Sequence, residues 1–198
     1  MSRDRFSVAT FNLYNLQLPG VAMNPGQKPW TGEEFARKVA WTARQLGTVD
    51  ADIVGLQELW SGEAMERVLE DPALVGQYDL LAEPATGAKI VCAALVRKGL
   101  LRGTPRWVET FPPELRLESS GDDAQSPDVS VTIPRFSRPV LNFQVALREQ
   151  PPLTDVFVAH LKSKLPERVY DEAWFKSDEA DFKPHANALG AALATIRR

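Results

Sequence analysis

The sequence predicts an α/β domain built around layered sheet. Three observations carry that expectation. Short apolar runs recur along the chain, amphipathic helical stretches stand between them, and the 198 residues are 44% hydrophobic and 25% charged with no low-complexity tract. That composition suits one soluble globular domain over residues 1–198. Strands, a helix, then strands again favour a layered α/β sheet over a Rossmann fold. The sequence also lacks any G-x-G-x-x-G, Walker or C-x-x-C motif.

The first strand is predicted over residues 6–11 and delivers Asn12 at its end. Thr31-Gly32-Glu33-Glu34 opens a helix, with Thr31 as N-cap and acids in the first turn. Its apolar positions Phe35, Val39, Ala43 and Leu46 recur every three or four residues, and Gly47 is expected to close it. Residues 53–56 form a short buried strand that emerges at Gln57-Glu58. A second helix over residues 62–69 ends before Asp71-Pro72. Apolar runs at 78–81, 90–96, 129–133 and 140–147 suggest consecutive antiparallel strands, with Pro112-Pro113 and the Ser119 to Asp123 stretch as loops.

Residues 156–159 form a further strand, which delivers His160. The charged stretch 166–184, with Trp174, Phe175 and Phe182 interspersed, is a loop over a cleft or a surface excursion. Its aromatics either stack nucleobases or pack locally. Pro184 opens a last helix, whose apolar face is Leu189, Leu193 and Ile196 and which stops at Arg197-Arg198. In layered folds such a helix feeds another strand, so a C-terminally truncated domain is expected.

Charge and cysteine usage exclude some classes of function. With 23 basic and 26 acidic residues the net charge is −3. A passive nucleic-acid-binding module would show a basic excess, whereas an enzyme that grips one phosphate locally would not need it. No apolar run reaches the roughly 18–20 residues that span a bilayer, and the N-terminus lacks a secretory apolar region. The single cysteine, Cys92, lies in an apolar run and reads as a buried structural thiol in a reducing, cytoplasmic setting. No membrane partner is expected.

Three apolar runs thus end in side chains suited to phosphate-ester chemistry. Such hydrolysis needs a hard cation, a base to generate hydroxide and positive groups around the phosphoryl oxygens. Mg²⁺ prefers oxygen ligands and often takes only one or two carboxylates, a role that Glu58 fits. The Asn12 amide can orient a carboxylate, a water or the phosphate. His160 can exchange protons near neutral pH, and Lys162 and Lys164 flank the same point. Trp30 and Trp41 read as core or interface residues.

Ala9-Thr10-Phe11-Asn12-Leu13-Tyr14-Asn15-Leu16, Asp52-Ile53-Val54-Gly55-Leu56-Gln57-Glu58 and Val156-Phe157-Val158-Ala159-His160-Leu161-Lys162-Ser163-Lys164 resemble the endonuclease/exonuclease/phosphatase superfamily in kind and in order. Phe136-Ser137-Arg138-Pro139-Val140 is similar to that family's Arg-Pro element. The resemblance implies a DNase I-like layered sandwich flanked by helices that hydrolyses phosphate esters with Mg²⁺ or Mn²⁺. It makes Glu58 the metal ligand, Asn12 an active-site amide, His160 a phosphate-contacting or acid–base residue and Arg138 a supporting one. Lys162 and Lys164 become substrate-binding residues of the nuclease-like branch.

The family's later Gly-Asp-x-Asn element and terminal Asp-His pair are missing from the sequence, and His185 has no preceding Asp. The resemblance therefore covers the N-terminal two-thirds of such a domain. The expected activity is metal-dependent phosphodiesterase or nuclease action on nucleic acid or another phosphodiester. Alternatives are a catalytically incompetent binding or assembly fragment of the same fold and a small-molecule phosphatase. A sandwich lacking its last strands is expected to self-associate through an exposed sheet edge.

Overall fold

The computed structural model describes residues 5–23, 26–83, 89–112, 117–118, 130–131, 135–147 and 152–161. The chain divides into two compact units. The first comprises Met1–Glu109 and Arg138–His160, and the second comprises Thr110–Ser137 and Leu161–Arg198.

The first unit opens with a β-α-β crossover. Strand β1 (Val8–Leu16) leads into helix α1 (Gly32–Val49) and then strand β2 (Ile53–Leu59), and the two strands pair in parallel from Val8↔Ile53 to Asn12↔Gln57. A parallel pair needs a crossover of this kind, because no tight turn can return the chain in the same direction. Helix α2 (Gly62–Leu69) and strands β3 (Tyr78–Leu81) and β4 (Val91–Arg97) follow. Together the strands form a four-stranded sheet of order β1-β2-β4-β3, in which β4 runs antiparallel to both neighbours.

Side-chain alternation on this sheet divides the core into two layers. Val91, Ala93 and Leu95 of β4 join Val54 and Leu56 of β2 in packing with Ala43 and Leu46 of α1 and Met65 and Val68 of α2. On the opposite face Cys92, Ala94 and Val96 join Ile53 and pack against Leu141, Phe143, Val145 and Val158. Those last four belong to a second sheet, of order β5-β8-β9, built from β5 (Leu101–Thr110), β8 (Arg135–Val145) and β9 (Thr154–Val158). The result is two sheets face to face with helices on the outer side of one, the layered α/β arrangement that the sequence predicts. Gly55 permits the close approach, because a Cβ at that position would lie 3.3 Å from both methyl carbons of Val158.

Helix α1 starts as expected. The Thr31 hydroxyl accepts from the Glu34 N–H at 3.2 Å and the Glu34 carboxylate accepts from the Thr31 N–H at 2.9 Å, a complete capping box. It does not stop at Gly47. The helix continues to Val49 and ends at Asp50, which adopts a left-handed φ of 42°. Arg97 fixes that end from β4, with Nη2 2.6 Å from Asp50 Oδ1, so a tertiary contact overrides the local glycine signal. Helix α2 occupies residues 62–69 as predicted, capped by Ser61.

Strand β5 was not legible in the sequence. Its residues Leu-Arg-Gly-Thr-Pro-Arg-Trp-Val-Glu-Thr are mostly polar and include Gly103 and Pro105. Its place at the sheet edge explains why it tolerates them, since an edge strand need not donate every N–H to a ladder. Strand β8 begins earlier than the predicted run 140–147 and ends at Val145. In the second unit, β6 (Leu117–Glu118) pairs antiparallel with β7 (Ser130–Val131), and the rings of Phe111 and Phe136 lie 3.9 Å apart. The predicted C-terminal helix, the stretch 166–184 and His185 fall outside the described residues. Among the described residues no helix is long and apolar enough to cross a membrane.

Candidate functional site

Four of the sequence-predicted residues meet in the first unit, and two backbone irregularities bring them there. Strands β1 and β2 do not end at Phe11 and Leu56 as the apolar runs suggest; they continue to Leu16 and Leu59. In β1 the register jumps from Asn12↔Gln57 to Leu16↔Leu59, four steps on one strand against two on the other. In β2 it jumps from Leu56↔Ala93 to Leu59↔Val91, three steps against two. Extra residues of this kind are bulges. They coincide with non-glycine residues at positive φ, namely Tyr14 at 48°, Asn15 at 59° and Glu58 at 60°.

The cause lies in the spacing of the apolar residues. Leu13 and Leu16, and likewise Leu56 and Leu59, are all buried on the helix-facing side. Residues three apart cannot share a face of a regular strand, whose side-chain period is two. The chain satisfies both members of each pair by bulging outward between them, and Glu58 and Tyr14-Asn15 are the residues that the bulges eject. The strain is held by neighbours. Trp60 Nε1 donates to Asn15 Oδ1 and Trp30 Nε1 donates to the Asn15 carbonyl, each at 2.9 Å.

At this point Asn12 Nδ2 donates to Glu58 Oε1 at 3.0 Å. The other end of the same amide, Oδ1, accepts from the Tyr14 N–H at 2.8 Å, an Asx turn that fixes which way the amide faces. Asn12 therefore orients the carboxylate. Beside them Thr10 Oγ1 donates to Gln57 Oε1 at 3.1 Å.

His160, just beyond β9, places Nε2 3.8 Å from Glu58 Oε1, with side-chain exposures of 16% and 21% respectively. Burial and then the nearby Arg138 charge lower the His160 pKa below its ordinary value, against the opposing pull of Glu58. The imidazole is accordingly neutral near pH 7. Its Nδ1 is buried without a hydrogen-bond partner among the described residues. An N–H buried there would forfeit more than a bare lone pair does, which puts the proton on Nε2, facing Glu58. Arg138 backs the arrangement by donating through Nη1 to the His160 carbonyl at 3.5 Å.

Asn12, Glu58, Arg138 and His160 are thus brought together, whereas Lys162 and Lys164 lie outside the described residues. The sequence reading missed a cation that the structure supplies. The ammonium of Lys38, on α1, stands 5.3 Å from the centroid of the Tyr14 ring and 5.4 Å from that of Trp30. Burial lowers its pKa while the Glu58 charge raises it, so its charge is felt at the site. The available signal was a basic residue beside the apolar stripe of α1, next to Val39 and three residues after Phe35.

Cys92 is buried in the sandwich layer. Burial pushes its thiol up to about 11, although the His160 backbone and the Arg138 charge pull the other way. It is a structural residue, as expected.

The donor set bears on metal binding. Among the described residues no group of three or more His, Cys, Asp or Glu is placed to hold a metal ion together. A hard cation that keeps most of its waters can be held by a single carboxylate. Glu58 fits that mode, because its neighbours are an amide that orients it and a neutral imidazole, neither a competing cation at Oε1.

No family model matches the chain, and no curated protein matches it in sequence. Among solved structures it is similar to a crystal structure of humanized D. rerio TDP2, made by 14 mutations, with a TM-score of 0.44 and 13% identity. The similarity covers 80% of this chain and 48% of that one, so the chain spans about half its length.

Proposed function

We propose that the protein is a divalent-metal-dependent phosphoesterase acting on phosphodiester bonds. The observation that supports this reading best is the Glu58 carboxylate, oriented by Asn12 at 3.0 Å and faced by a neutral His160 at 3.8 Å. Chemically that is a fixed hard-oxygen ligand beside a hydrogen-bond donor for a phosphoryl oxygen, a pairing that suits phosphate-ester hydrolysis. Glu58 would hold Mg²⁺ or Mn²⁺, which supplies charge neutralisation and an acidified water when bound.

The chain's own residues have definite tasks in this reading. Asn12 keeps Glu58 in one rotamer and prevents it from swinging away. His160 offers Nε2–H to a phosphoryl or leaving-group oxygen, and its low proton affinity keeps it from locking onto Glu58 as an ion pair at neutral pH. Arg138 anchors the His160 backbone and adds positive charge behind it. Bis(p-nitrophenyl) phosphate and a DNA duplex, each assayed with Mg²⁺ and with EDTA, test the proposal on the intact protein. We expect turnover that needs the metal and that Glu58→Gln lowers at least 100-fold. Activity indifferent to both EDTA and Glu58→Gln sinks the reading.

A further inference from the structure

We propose that Lys38 is a phosphate-contacting residue of the Glu58 site, its ammonium cradled by the rings of Tyr14 and Trp30. The inference rests on the phosphoesterase reading and deepens it. Lysine is a flexible side chain that normally extends into water. Here it is half-buried and its Nζ stands 5.3 Å and 5.4 Å from two aromatic centroids. Both distances fall within the range over which a ring face attracts a cation.

Neither ring is placed by chance packing. Tyr14 is 69% exposed and sits at a positive φ of 48°, an unfavourable position for a bulky residue. It is held there by the hydrogen bond from its N–H to the Asn12 side chain, the amide that also orients Glu58. Trp30 is fixed by its indole N–H on the Asn15 carbonyl, in the same bulge. The irregular segment of β1 that presents Asn12 therefore also builds the seat for Lys38, and the Glu58 charge reaches that ammonium.

The chemical need is plain. A phosphodiester carries negative charge on its non-bridging oxygens, and the Glu58 carboxylate repels it. A fixed cation on the α1 side, opposite the Arg138 and His160 side, lets a phosphate approach that carboxylate. The ligand class is thus an anionic phosphate ester, with the ring of Tyr14 open beside it.

Two readouts on the intact protein test this: KM for bis(p-nitrophenyl) phosphate, and binding of inorganic phosphate by calorimetry, which does not depend on turnover. Lys38→Met conserves length and removes the charge. It should raise both KM and the phosphate Kd at least tenfold, change kcat less, and be largely rescued by Lys38→Arg. Tyr14→Leu keeps the charge and removes one wall of the cradle, and should raise both constants severalfold. The Tyr14 variant decides the matter if Lys38→Met fails to fold. Values within twofold of the parent in a folded Lys38→Met protein, or in Tyr14→Leu when only that variant folds, overturn the proposal. So does a parent protein that binds no phosphate. If Glu58→Gln abolishes turnover while Lys38→Met leaves both constants unchanged, only the Lys38 assignment fails. If turnover ignores Glu58→Gln and EDTA while Lys38→Met abolishes phosphate binding, the anion site stands and the phosphoesterase reading fails.

Discussion

Replacing Asn12 by Asp tests the site geometry with almost no change of shape. The parent amide donates to Glu58 Oε1 at 3.0 Å; the variant sets a second carboxylate at the same place. Two unit charges about 3 Å apart repel by about 5.5 kcal/mol at an effective dielectric of 20 and by about 1.4 kcal/mol in bulk water. Protonation caps the penalty, since taking up a proton at pH 7 costs a carboxyl group of ordinary pKa about 3.7 kcal/mol. Asn12 is exposed and the Glu58 side chain is 21% exposed, so screening favours the lower part of that range. The lost hydrogen bond to a charged acceptor adds to it. A net destabilisation of about 2–4 kcal/mol follows, or roughly 5–10 °C in Tm for a chain of this size.

The melt should be run in EDTA and again with excess Mg²⁺. A cation held by Glu58 gains a second carboxylate in the variant, and a ligand at 100 times its Kd stabilises the folded state by about 2.7 kcal/mol. Magnesium should therefore raise the Tm of Asn12→Asp more than that of the parent and close most of the gap. Asn12→Ala, which loses the hydrogen bond but adds no charge, should show no such extra rescue. Lowering the pH toward the ordinary carboxylate range should also narrow the gap, because one proton removes the repulsion. Equal melting of variant and parent in EDTA would refute the placement of Asn12 against Glu58. A destabilised variant that ignores Mg²⁺ would refute the cation assignment instead.

Other perturbations follow from the same structure. Gly55→Val forces a branched side chain against Val158, whose methyl carbons would lie only 3.3 Å from its Cβ; overpacking of that kind should lower stability by about 1–3 kcal/mol in urea unfolding, and a variant as stable as the parent would contradict the sheet-to-sheet contact. His160 has a folded-state pKa below its ordinary 6.5, so its contribution to stability is complete above about pH 6.5 and is lost as pH falls through the folded value. The parent should accordingly lose more stability than His160→Gln between about pH 7 and pH 5. Cys92, with its thiol pushed up to about 11, should resist a thiol-labelling reagent in the native state and react at once in denaturant. Thr31→Ala removes the capping box of α1 and should destabilise by about 0.5–2 kcal/mol.

What could be read in the sequence was whatever neighbouring residues decide among themselves. The Thr31 N-cap with its first-turn acids and the whole of α2 were visible because a cap and a 3.6-residue period are local. Residues 53–56 were legible as a strand because they are apolar on both faces, which the two core layers require. Strand β5 was invisible because its polar residues become a strand only when an edge of β8 is there to pair with. The end of α1 was misplaced for a similar reason, since Arg97 is 47 residues from the Asp50 that it holds. At the site, Asn12, Glu58, Arg138 and His160 were each identifiable by type and order, but Lys38 was not. Its significance comes from Tyr14 and Trp30, and nothing in the spacing of α1 indicates that two rings arrive beneath it.

The two bulges explain why a strand of this sheet can present chemistry at all. A regular β2 would turn alternate side chains into the core layers and leave no place for a partly exposed carboxylate between Leu56 and Leu59. By spacing the buried leucines three apart, the sequence obliges both strands to bulge, and the expelled Glu58 meets Asn12, the last residue of β1 in register before its bulge. Each non-glycine residue in a left-handed conformation costs of the order of 1–2 kcal/mol, and three of them stand here, at Tyr14, Asn15 and Glu58. The surrounding contacts hold them through the two tryptophan indoles on Asn15 and the buried leucines on either side. Relaxing the strain by shortening one bulge would move Leu59 out of the core and Glu58 into it. The fold therefore cannot keep its helix-facing layer without keeping Glu58 outside that layer, next to Asn12. Deleting one residue between Leu13 and Leu16 should for this reason lower stability and separate Asn12 from Glu58 together, because a single backbone feature sets both.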